Sequence, residues 1–68
     1  MPITIRLNGE DRSLDSHTSV SDLLALFELS PQRVIVERNR TIVDKDSIDQ
    51  VRLEDGDDIE IIRLVSGG

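Results

Sequence analysis

One helical stripe constrains this chain more than any other feature. Val20, Leu23, Leu24 and Phe27 stand at i, i+3, i+4 and i+7, the spacing that gathers apolar side chains on one face of an amphipathic helix. Just before them, Ser19-Val20-Ser21-Asp22 fits a capping box, in which a Ser hydroxyl and an acid three positions later satisfy free backbone N–H groups. Ser30-Pro31 is a stop signal, because the residue before proline disfavours helical backbone. The pattern predicts a helix over 20–29. A helix with one apolar stripe must cover something, and the segments on either side of it read as strands.

From Met1 to Leu7, Ile3, Ile5 and Leu7 alternate with Thr4 and Arg6, the period of a half-buried strand. Asn8-Gly9 predicts a tight hairpin turn, since both residues tolerate positive φ. Glu10 to Asp15, with Leu14 as its main apolar residue, reads as a polar return strand of the kind found at sheet edges. After the helix, Val34-Ile35-Val36 is β-branched throughout, and Asn39-Arg40 turns it into a short segment at Thr41-Ile42-Val43. Asp44 to Arg52 is an irregular connection, with Ile48, Val51 and then Leu53 as core anchors. Asp55-Gly56-Asp57 is a turn, Ile59 to Val65 the last strand, and Ser66-Gly67-Gly68 the trailing end. Two hairpins flanking one helix predict a two-layer α+β fold of the β-grasp type. The expected form is a mixed sheet of four to five strands on one helix, a single domain over 1–68 with 65–68 a free, flexible tail. The last strand is expected beside the first and parallel to it, so that the chain leaves the sheet at its end.

Strand parity sorts the two faces. Ile3, Ile5, Leu7, Val34, Val36, Ile59 and Ile61 should face the helix, which puts Ile35, Ile62 and Leu64 on the opposite side. Branched apolar residues clustered on neighbouring strands there form a candidate partner-docking patch. A register slip of one residue would exchange the faces.

Size and composition exclude several functions. A domain of 68 residues buries only about 60% of its unfolded surface and is expected to hold on the order of 3–5 kcal/mol of stability. That leaves little room for a buried active site, so an enzyme in its own right is not expected. Cysteine is absent and His17 is the only histidine, so no Cys-His nucleophile pair exists. The letters of a Ser-His-Asp set occur without a nucleophile elbow or oxyanion loop, and His17 reads as a surface residue. Asp44, Asp46, Asp49 and Asp55 do not match a calcium loop, because Ile48 takes position five, Asp49 takes the glycine's place at six, and Asp55 stands at twelve. No metal site is expected. With 14 acidic residues against 8 basic ones, a net charge of −6, no Trp or Tyr, and Phe27 the only Phe, the chain lacks both the cations and the stacking platform that nucleic acid requires. Neither a signal-peptide pattern nor an apolar run of roughly 18 residues occurs, so no membrane association and a cytoplasmic location are expected. The run Glu54, Asp55, Asp57 and Asp58 reads as solvated, and an acidic surface suits a partner with a basic docking face.

The end of the chain carries the remaining signal. Glycine has no side chain, so Gly67-Gly68 fits a channel too narrow for other residues and leaves a terminal carboxylate open to attack. With that ending, the sequence resembles the ThiS-type sulfur carriers of thiamine biosynthesis, relatives of ubiquitin and of the molybdopterin carrier MoaD. The resemblance covers nearly the whole chain. It rests on the short length, on Ser19-Val20-Ser21-Asp22-Leu23-Leu24, on Asp55-Gly56-Asp57, and above all on the stretch from Ile59 to Gly68. Two positions depart from the family pattern: Arg40, where Asn-Gly is frequent, and Ser66, where glycine or alanine is usual.

The resemblance implies a carrier and not a catalyst, with no bound cofactor. A ThiF-like adenylyltransferase would use ATP to adenylate Gly68, with Gly67 and Ser66 as the tail it recognises. A persulfide enzyme would supply the sulfur, and the thiocarboxylate on Gly68 would serve the thiazole synthase ThiG. Three other readings stay open at this point. The sulfur could go to molybdopterin or tRNA thiolation, the chain could be a protein modifier joined through Gly68, or it could be an interaction module with an incidental Gly-Gly.

Overall fold

The structure, a computed structural model, describes residues 1–64. Strand β1, Pro2–Leu7, turns at Asn8 and Gly9, with φ of 49° and 86°, into β2, Glu10–Asp15. The two pair antiparallel from Pro2 opposite Asp15 to Leu7 opposite Glu10. Helix α1 spans Val20–Leu26. A 3-10 turn at Pro31–Arg33 leads into β3, Val34–Arg38, which folds back as β4, Thr41–Ile42. A second 3-10 turn at Lys45–Ser47 and a loop precede β5, Asp58–Arg63. The sheet order is β2-β1-β5-β3-β4. As expected, the last strand lies parallel to the first, while it runs antiparallel to β3. The result is a five-stranded mixed sheet with one helix, the β-grasp arrangement, with the polar β2 at an edge.

The core is the layer between sheet and helix. Ile5, Leu7, Val34, Val36 and Ile59 meet Val20, Leu23 and Leu24 of α1, and Ile48 and Leu53 close the layer; all are buried. Ile3 and Ile61 pack on it from its margin, as do Leu14 and Val51. The face assignment read from strand parity and the loop anchors therefore hold. At α1's start the capping box is complete: the Asp22 N–H donates to the Ser19 Oγ at 3.0 Å, and the Ser19 N–H to the Asp22 carboxylate at 3.1 Å.

The helix ends earlier than Ser30-Pro31 suggests. Glu28 adopts φ 56°, its N–H donates to the Ala25 carbonyl at 3.1 Å, and the Leu29 N–H to the Leu24 carbonyl at 2.9 Å. These two bonds make a Schellman termination, with Glu28 in the left-handed position glycine usually fills. The reversal carries Leu29 back onto the core, in the place the stripe assigned to Phe27. Phe27 is instead 37% exposed, with the Arg12 guanidinium 5.3 Å from its ring centroid.

The second hairpin keeps a primed turn without glycine. Asn39 and Arg40 have φ of 52° and 70°, so the arginine takes the conformation that explains the usual Asn-Gly preference. β4 is one residue shorter than read, although the Val43 N–H still donates to the Val36 carbonyl at 2.8 Å. β5 ends at Arg63, and Val65 lies outside the described residues.

Candidate functional site

β5 delivers the chain's end from the middle of the sheet. Beyond Ile59 it outruns β1, which has already turned at Asn8. There the Asn8 side chain takes over the ladder, its Oδ1 accepting the Ile61 N–H at 2.9 Å. On the other side β3 stays paired to Arg63, and the Leu64 N–H donates to the Arg33 carbonyl at 2.9 Å. Leu64 is thus held by main-chain bonding, and Ser66, Gly67 and Gly68, the expected tail-recognition and sulfur-carrying residues, lie outside the described residues.

The expected docking residues fall in two places. Ile35 and Ile62 are direct cross-strand partners on the face away from α1, the first half-buried and the second 45% exposed. Leu64, 47% exposed, borders a shallow groove with Phe27, Leu29 and Arg33 at the end of the sheet. The rung after Ile35 and Ile62 pairs Glu37 with Glu60, and Ile42, 65% exposed, stands opposite Glu37 on its other side. Ile42 and Phe27 were not among the residues that parity nominated. The register of the short hairpin exposes the first, and the early helix stop exposes the second.

At the far end of β5 a carboxylate expected in solvent is buried. Asp57, 6% exposed, accepts the Arg38 Nε–H at 2.8 Å, the Asn39 Nδ2–H at 3.1 Å and the Glu54 backbone N–H at 2.8 Å. Asn39 in turn accepts the Asp58 N–H at 2.9 Å, and Arg38 also reaches Glu54 at 3.1 Å. Burial alone would push the Asp57 carboxyl up. The Glu54 N–H, the Arg38 and Asn39 side chains and the Arg38 charge outweigh it and hold the group below the ordinary carboxylate value. Asp57 is therefore a clamp between the β3–β4 turn and the start of β5, not part of a solvated run.

Two further acidic residues have local duties. Asp55 accepts the Thr4 N–H at 2.7 Å, and Asp44 accepts the Asp46 N–H at 3.1 Å, capping the second 3-10 turn. His17 is exposed between β2 and α1. Among the described residues, no helix is long and apolar enough to cross a membrane. What the arrangement offers is a central strand that ends beside exposed apolar side chains.

Comparison with known proteins gives a consistent result. The ThiS family model matches residues 5–68. The sulfur carrier protein ThiS of Bacillus subtilis is 43% identical over 65 residues, which is 94% of this chain and 98% of that one. A thiazole synthase of Paramagnetospirillum magneticum is 40% identical over 62 residues, 91% of this chain but only 19% of the enzyme's length. The crystal structure of a thiamine biosynthesis protein, ThiS, from Geobacter metallireducens superposes with a TM-score of 0.82 at 25% identity, covering 97% of this chain and all of that one.

Proposed function

The chain belongs to the ThiS family, and from that premise we propose that it is a sulfur carrier of thiamine biosynthesis whose working group is the carboxyl of Gly68. The observation that carries this reading is likeness to a sulfur carrier over nearly the full length of both chains. Thiazole synthase as recipient is supported by an enzyme of that name containing a stretch similar to this chain.

A carboxylate resists nucleophiles because of its own charge. An ATP-using adenylyltransferase of the ThiF type removes that obstacle: a Gly68 oxygen attacks the α-phosphorus, pyrophosphate leaves, and an acyl-adenylate remains. A persulfide sulfur on a donor enzyme then attacks the acyl carbon and expels AMP. A thiol reduces the resulting acyl disulfide, leaving a thiocarboxylate on Gly68 and a disulfide on the donor side. The thiocarboxylate sulfur is the nucleophile that the thiazole synthase, ThiG, consumes. Catalysis in every step belongs to the partners. Ser66 and Gly67 are the small residues that enter the adenylating site, and Ile35, Ile62 and Leu64 are docking contacts.

ATP–pyrophosphate exchange by the cognate adenylating enzyme tests the reading. Exchange should require this chain and vanish when Gly68 is deleted. Exchange indifferent to Gly68, or lysine-linked conjugates of the chain in cell extract, would replace the carrier with an interaction module or a protein modifier.

A further inference from the structure

We infer that the sheet face away from α1 docks a partner surface carrying an apolar side chain and, about 7 Å farther from the tail, a lysine or arginine; the spacing is two residues along a strand. This rests on the carrier reading and adds the chemistry of the surface that recognises the carrier.

The face is ordered in rungs along β3 and β5. Nearest the tail, Ile35 stands opposite Ile62; one rung on, Glu37 stands opposite Glu60, flanked by Ile42; Asp58 follows on β5. Like charges directly opposite each other on a sheet destabilise it, and a domain of this size has little stability to spare. Glu37, Asp58 and Glu60 border a shallow hollow with Arg40. Among the described residues, however, the ion pairs are those of Arg38 with Glu54 and Asp57, and none reaches this hollow. Arg6, which neighbours Asp58 on β1, forms none either. The fold thus keeps an acidic rung that no ion pair among the described residues neutralises, beside a partly exposed apolar one.

Charge complementarity decides between occupants. A second copy would bring the same carboxylates face to face on a chain of net charge −6, and a nucleic acid would bring phosphates. A basic partner surface is the one that gains: its cation sits between Glu37 and Glu60 while its apolar side chain covers Ile35 and Ile62. Such pairing raises on-rate and fixes register more than it adds raw affinity, which suits a carrier that must leave each partner in turn.

The test is titration calorimetry of the cognate adenylating enzyme against the wild type and against the near-isosteric double variant E37Q/E60Q, at low and at high salt. The variant should bind about tenfold more weakly at low salt and lose most of its salt dependence, while its melting temperature stays level or rises. Equal affinity and equal salt dependence for the two would overturn the inference and leave the carrier reading intact. A wild type that neither binds nor supports pyrophosphate exchange would remove both. A wild-type dimer in sedimentation, strengthened in E37Q/E60Q, would make the face a self-interface and also overturn the proposal.

Discussion

The two faces of the same sheet follow opposite rules although they alternate residue by residue. On the helix side of β3 and β5, Val34, Val36 and Ile59 are buried in one core with Val20, Leu23 and Leu24 of α1 and with Ile48 and Leu53. On the other side, Ile35, Glu37, Glu60 and Ile62 include an apolar pair only partly covered and a like-charged pair without an ion-pair partner among the described residues. Burying one fully enclosed aliphatic side chain stabilises by about 1.5–3 kcal/mol, whereas an exposed one contributes little. Stability is therefore concentrated on the face that meets the helix.

The most severe way to break this contrast is a truncation on the helix side. Ile59→Ala or Leu23→Ala should cost about 2–5 kcal/mol, comparable with the whole stability expected of the domain, so urea titration should find much of the chain unfolded at rest. Asp57→Ala comes next, at about 2–3 kcal/mol, because it leaves Arg38 and the Glu54 N–H without their acceptor. The same group sets a pH dependence. Its folded-state value is lowered, so its contribution is fully present above the ordinary carboxylate pKa of about 3.9 and fades as pH falls through the lowered value. Melting temperature followed downward from neutral pH should drop on that limb, and Asp57→Asn should flatten it.

Smaller changes sharpen the contrast from the turns. Glu28→Gly and Arg40→Gly each place glycine at a positive φ that now carries a side chain, and each should stabilise by about 1 kcal/mol. The denaturation midpoint of the pair together should show near-additive gains. A small effect on stability is expected on the open face: Ile62→Ser should cost about 0.5–1 kcal/mol, from the lost cross-strand pair with Ile35, yet weaken binding to the adenylating partner. If Ile62→Ser unfolds the chain, or leaves partner binding untouched, the division between the faces fails.

Much of this was legible in the sequence because periodicity reports burial. The alternation of Ile3, Ile5 and Leu7, the Asn8-Gly9 turn and the capping box at Ser19 each have one physical reading, and the structure adopts it. What escaped depends on contacts between distant segments. Phe27 fits the helical stripe as well as Leu29 fits the core, and only the Schellman turn at Glu28, a residue without turn signature, decides between them. Asp57 looks like its neighbours Asp55 and Asp58 in sequence. Its burial arises from Arg38 and Asn39, 19 and 18 positions away, which meet it only once β3 pairs with β5. The opposition of Glu37 and Glu60 is likewise a matter of register, invisible until the pairing is known.

The most direct test of the carrier function is the intact mass of the protein after incubation with ATP, a persulfide donor, a thiol reductant and the cognate adenylating enzyme. The account predicts a species heavier by one oxygen-to-sulfur exchange, alkylatable, localised to Gly68 and missing when Gly68 is deleted. An unchanged mass under conditions in which the adenylating enzyme modifies another carrier would contradict it.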